Sequence, residues 1–161
     1  MSDNVLQEQL LTLLGGRNAH MGFEDAIKDF PEEYINRKAF HVSYTFWHLL
    51  EHMRIAQWDI LEFVRDPDHV TPDWPDNFWP PKNKKADLSQ WNKTIEDIRS
   101  DLAAVEKIIK DPDTDFFGPI PHAPDYNIFR EILLVADHNA YHVGEFLTLR
   151  QVMGIKPRDS W

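Results

Sequence analysis

From Leu88 to Ile109 apolar side chains recur at Leu88, Trp91, Ile95, Ile98, Leu102, Val105 and Ile109, in unbroken steps of three and four. That period is the signature of a helix with one buried stripe, and Asp87 with Gln90 has the spacing of a capping box at its start. A second stripe, Leu49, Met53, Ala56, Ile60 and Phe63, marks a helix from about Ser43 to Val64, stopped by Asp66-Pro67. A third long helix runs from about Asn127 to Met153 and ends at Gly154. It is apolar on several sides, as a helix buried between neighbours must be. The N-terminal segment reads as two helical pieces, roughly Asn4 to Leu14 and Asn18 to Phe30, around a kink at Gly15-Gly16. There is no internal repeat and no strand-like alternation. Amphipathic helices of this length predict an all-α chain folded as a four-helix bundle, in a single domain over residues 1–161.

Two long connections add detail. Residues 65–87 contain Pro67, Pro72, Pro75, Pro80 and Pro81 beside Trp74, Phe78 and Trp79, too aromatic for a free linker. Extended at about 3.3 Å per residue, this stretch is long enough to return along a helix and deliver the third helix parallel to the second. An up-down-down-up order is the expectation. The stretch 111–126, with Phe116 and Phe117, is expected to pack down as well.

The chain contains no cysteine and eight histidines. Disulfides, thiolate ligands and a cysteine nucleophile are thereby excluded, and a transition metal must be held by imidazole and carboxylate. A formal charge of -10, with 17 basic residues scattered along the chain, repels phosphate backbones. Nucleic-acid binding is therefore not expected. The tryptophans read as packing anchors and not as a base-stacking platform. No apolar run reaches the ~20 residues of a membrane span, and Met1-Ser2-Asp3-Asn4 lacks the start of a signal peptide, so a cytoplasmic protein is expected.

His138 and His142 stand four residues apart in the last helix, and His48 and His52 repeat the spacing in the second. Residues i and i+4 share a helix face, so each pair can present two imidazoles to one ion. The first pair lacks the glutamate of the H-E-x-x-H zinc helix, since Asn139 follows His138.

With these residues in place, the segments Trp47-His48-Leu49-Leu50-Glu51-His52 and Asp137-His138-Asn139-Ala140-Tyr141-His142-Val143-Gly144-Glu145 resemble the DinB/YfiT-like superfamily of metal-dependent proteins. The resemblance runs from Gly15-Gly16 to Gly154. It implies an up-down-down-up bundle holding one divalent metal, zinc or nickel, through His52, His138 and His142, with His48 an extra histidine one turn earlier. The family includes thiol-dependent transferases and isomerases. A dimer is expected because relatives often pair.

The remaining candidates are read from the helix faces. Glu145, three residues after His142, and Asp59, seven after His52, are placed to orient ligand imidazoles, although each also reads as an ordinary solvated acid. His48 is expected to line the pocket. Tyr141 reads as a packing residue with a satisfied hydroxyl or as a donor facing the pocket. His41 and His69 read as surface histidines, while His20 and His122 lie where a substrate contact is conceivable. Substrate is expected to enter from the end formed by the start of the second helix and the finish of the last, with the first connection packed down through Trp74, Phe78 and Trp79 and supplying part of the rim. Two function classes follow: an enzyme acting on a small molecule or thiol, by hydrolysis or thiol-dependent transfer, and a non-catalytic metal-binding or stress-response module.

Overall fold

The computed structural model describes residues 2–16 and 19–157. Four long helices dominate: α1 (Ser2–Leu14), α3 (Phe46–Arg65), α4 (Leu88–Lys110) and α5 (Ile128–Val152), with a short α2 (Phe23–Ile27) between the first two. A two-stranded antiparallel hairpin, β1 (Pro119–Ile120) and β2 (Ala123–Asn127), precedes α5. The fold is thus mostly helical but not purely so, which corrects the expectation of no strands. The hairpin escapes the sequence pattern because β2, Ala123-Pro124-Asp125-Tyr126-Asn127, has no alternating burial. Ile120, buried, anchors the hairpin on the helices, with Tyr126 edge-on to Phe63 and His122 bonded to the Phe63 carbonyl.

The helix ends follow local chemistry. Asp87 accepts from the Gln90 backbone at 2.8 Å while the Gln90 side chain accepts from Asp87 N at 3.2 Å, the reciprocal pair expected from the sequence. In α3 the helix begins at Phe46, three residues later than the apolar pattern suggested, because Thr45 is its N-cap. In the N-terminal region Gly16 turns with φ +65° and ends α1 instead of kinking it. Only Phe23–Ile27 of the expected second piece is α-helical, and a 3-10 turn at Glu32–Tyr34 follows Pro31. Asn18, where that piece was expected to begin, lies outside the described residues.

α3 packs against both α4 and α5, and α1 against α4 and α5. Between α3 and α4, Trp47 Nε1 donates to Thr94 Oγ1 and Gln57 Nε2 to the Ile98 carbonyl, so partner numbers rise together. Between α3 and α5, Phe46 meets Phe146, His52 meets His142 and Gln57 meets Asn139, so they run in opposite senses. Two apolar clusters fill the interior. One holds Phe46, Leu50, Met53, Trp91, Ile95 and Phe146; the other holds Leu10, Leu61, Val105, Ile109, Phe116 and Ile132. Gln57, 1% exposed, bridges Asn139 at 2.7 Å and Ile98 O at 2.8 Å between these clusters. Buried amides of this kind fix register, since a shift by one residue would leave both unpaired.

The connection 66–87 packs, as its aromatics require, but unevenly. Phe78 is buried and Trp79 partly so, whereas Trp74 is 69% exposed, contrary to the expectation that all three would be covered. Phe116 is buried in the second connection, while Phe117 lies outside against Phe129. No helix of the described residues is long and apolar enough to cross a membrane.

Candidate metal centre

α3 and α5 cross so that His52 faces His138 and His142. The Nε2 atoms of His52 and His142 are 3.1 Å apart, and those of His138 and His52 are 3.2 Å apart. All three rings offer a nitrogen within 4.8 Å of the others, and among the described residues no fourth acid or histidine joins them. His52 and His142 are buried, and His138 is half-buried and reaches solvent.

The second nitrogen of two of these rings is committed. His52 Nδ1 lies 2.8 Å from the Phe78 carbonyl, which can only accept, so Nδ1 carries the proton. His142 Nδ1 lies 2.7 Å from Glu145 Oε2, and the imidazole at this carboxyl holds its pKa below the usual value. The carboxylate accepts, so His142 Nδ1 carries its proton too. In their neutral forms both rings therefore present bare lone pairs at Nε2, and these face each other at 3.1 Å. His138 can donate a proton to only one of them. Protonating His52 or His138 is opposed by burial, which lowers the pKa of His52 and pushes that of His138 to about 4, with the neighbouring imidazoles adding to the effect. A shared cation satisfies all three nitrogens. The separations suit ligands that share one ion at about 2.0–2.1 Å, and imidazole nitrogen is a donor for zinc, nickel or copper.

The shell around the triad is specific. The Trp79 ring lies parallel to His52, 4.1 Å between centroids and 2° between planes. Tyr44, whose ring is 5.1 Å from Trp79, donates its hydroxyl to Glu145 Oε1. Burial and that carboxylate both raise the Tyr44 pKa, which keeps the phenol protonated and donating. The sequence pointed to Glu145 but not to Tyr44 or Trp79. Both lie in non-helical segments, where no periodicity aims a side chain, although the connection's aromatic density was a signal for Trp79.

Other candidates are placed elsewhere. His48 is 3% exposed, and both of its nitrogens are used: Thr45 N donates to Nδ1 at 3.3 Å, and Nε2 donates to the Lys84 carbonyl at 2.9 Å. It completes the α3 capping box and neither ligates nor lines a pocket; burial lowers its pKa. Asp59 hydrogen-bonds His69 Nε2 at 2.7 Å instead of a triad imidazole. His69, expected at the surface, is tucked between Asp59 and the Trp58 ring. Tyr141 is 71% exposed, with its ring edge-on to His142 at 4.8 Å, so it is not the covered packing residue expected. His122 meets the Phe63 carbonyl at 2.8 Å, His20 meets the Met21 carbonyl at 2.9 Å, and His41 is exposed beside Phe40. None of these three joins the triad.

The end of the bundle formed by the start of α3 and the finish of α5 was expected to admit substrate. It is filled by Phe30, Phe46, Trp91 and Phe146, and by Arg150, 1% exposed and bonded to the carbonyls of Ala26, Lys28 and Ile155. On the flank, exposed Trp74 and Tyr141 stand beside the triad, whose half-buried His138 reaches solvent. No family model matches the chain, and no curated protein or solved structure matches it either.

Proposed function

We propose that the protein binds one divalent metal ion, zinc or nickel, through Nε2 of His52, His138 and His142, and that it is an enzyme acting on a small molecule. The reading rests on one observation: two buried imidazoles whose Nδ1 protons are committed to Phe78 O and Glu145 point unprotonated Nε2 atoms at each other. A structural site would close its coordination with a fourth protein ligand, and three histidines without one are the donor set of a catalytic site. When bound, the ion would supply Lewis acidity toward a water or a substrate atom at its open positions. Glu145 holds the His142 proton on Nδ1, Tyr44 fixes Glu145, and the Phe78 carbonyl with the Trp79 face fixes the His52 ring. Hydrolysis and thiol-dependent transfer are the reactions such a site serves.

Membership of the DinB/YfiT-like superfamily, with its up-down-down-up helix order, is part of this proposal. Its support is the pair of histidine motifs together with the opposite senses in which α3 contacts α4 and α5. So is a dimer, which sedimentation tests. The deciding experiment is cobalt substitution followed by addition of imidazole. A visible-band shift indicates an open position. No shift, with loss of folding on chelation, would favour the non-catalytic metal-braced module.

A further inference from the structure

Around the triad the side chains within ring contact are aromatic. Trp79 covers His52 on one face, and Trp74, 69% exposed, stands 6.3 Å from the same ring. Tyr141, 71% exposed, meets His142 edge-on from α5, and Tyr44 joins Trp79 and Glu145 between them. The two most exposed of these rings come from different parts of the chain, yet both border the triad. Large aromatics left open beside a buried polar centre forgo burial that the fold supplies to most of their kind.

Charge narrows what they could cover. A divalent ion held by three neutral imidazoles would repel a cationic substrate. Tyr44 and Glu145 are already engaged with each other and with His142.

We infer that the aromatic surface beside the triad, formed by Trp74, Trp79 and Tyr141, takes the aromatic ring of a substrate whose neighbouring donor atom faces the histidines. This rests on the metal-binding reading and adds the substrate class. A ring seated there stacks on Trp79 or Trp74 and meets the Tyr141 edge, in the offset and edge-on arrangements aromatic pairs favour.

The test uses cobalt-loaded full-length protein titrated with imidazole and 4-phenylimidazole, followed by the cobalt spectrum. The phenyl compound is expected to bind about tenfold or more tightly than imidazole, from one or two aromatic contacts with their burial. Trp74→Ala and Tyr141→Ala, both at exposed positions, should keep their cobalt while losing most of the phenyl advantage. Equal binding of imidazole and its phenyl derivative, or a phenyl advantage that survives both substitutions, would overturn the inference while leaving the metal site standing. Failure to bind cobalt at all would overturn the metal reading and this inference with it.

Discussion

Replacing Glu145 by glutamine should loosen the metal without unfolding the bundle. The carboxylate accepts from His142 Nδ1 at 2.7 Å and from the Tyr44 hydroxyl. A hydrogen bond to a charged group contributes about 1.5–3 kcal/mol, against about 0.5–1.5 kcal/mol for a neutral one. The exchange therefore removes roughly 1–2 kcal/mol of support for the ligating form of His142, or about 5- to 30-fold in metal affinity. The amide has only one accepting oxygen where two donors converge, so keeping the His142 bond obliges the Tyr44 hydroxyl to turn and accept from the NH₂. The expected loss lies within the roughly 10- to 100-fold range for residues that orient metal-bound histidines. Tyr44→Phe keeps the charge and the His142 contact, and its affinity should stay within about threefold of the unchanged protein. Competition titration against a chromophoric chelator measures both, with circular dichroism as the folding control. Unchanged affinity in Glu145→Gln, or an equal loss in Tyr44→Phe, would refute the argument that the carboxylate charge orients the ligand.

Gln57→Ala should destabilise the chelator-treated protein by about 1–3 kcal/mol, since Asn139 loses its buried acceptor; denaturant unfolding measures it, and a negligible change would show that the bridge does not hold register. The metal-free protein should lose stability as pH falls from about 6.5 toward 4, as urea melts at pH 7 and pH 5 would show. The sign follows from the low folded pKa of His138, about 4 against an ordinary 6.5: the unfolded chain takes up the proton first, so the contribution is full above the unfolded value and is lost as pH falls toward the folded one. Glu145, also held low, acts in the same direction at the acid end. Trypsin should cut slowly after Lys82, Lys84 and Lys85, because the Lys84 carbonyl is held by His48 and the Ala86 backbone by Asn36; rapid cleavage of the native protein there would mean an unpacked connection.

The long helices were legible because burial of one face imposes a period, and α4 carries that period without interruption down to its Asp87 cap. The three triad histidines were legible for a related reason: helical spacing determines which residues share a face, and the resemblance of the two motifs joined the faces. What lay outside helical geometry was not legible. Tyr44 reaches Glu145 across 101 residues from the extended segment before Thr45, and Trp79 reaches His52 from a proline-rich connection. His48 shows the converse error. Its spacing from His52 suggested a pocket role, but a position three residues after an N-cap gives the side chain local backbone partners that spacing cannot reveal. Asp59 likewise shares helical spacing with His52, yet the connection after α3 brings His69 back onto it.

The central claim is that His52, His138 and His142 together hold one ion. Metal analysis of protein purified without an affinity tag, alongside His142→Ala prepared identically, tests it most directly. The account predicts one divalent metal per unchanged chain, and its loss in the variant with helical content retained. A variant that keeps a full equivalent of metal, or an unchanged protein that binds none when divalent ions are supplied, would contradict it.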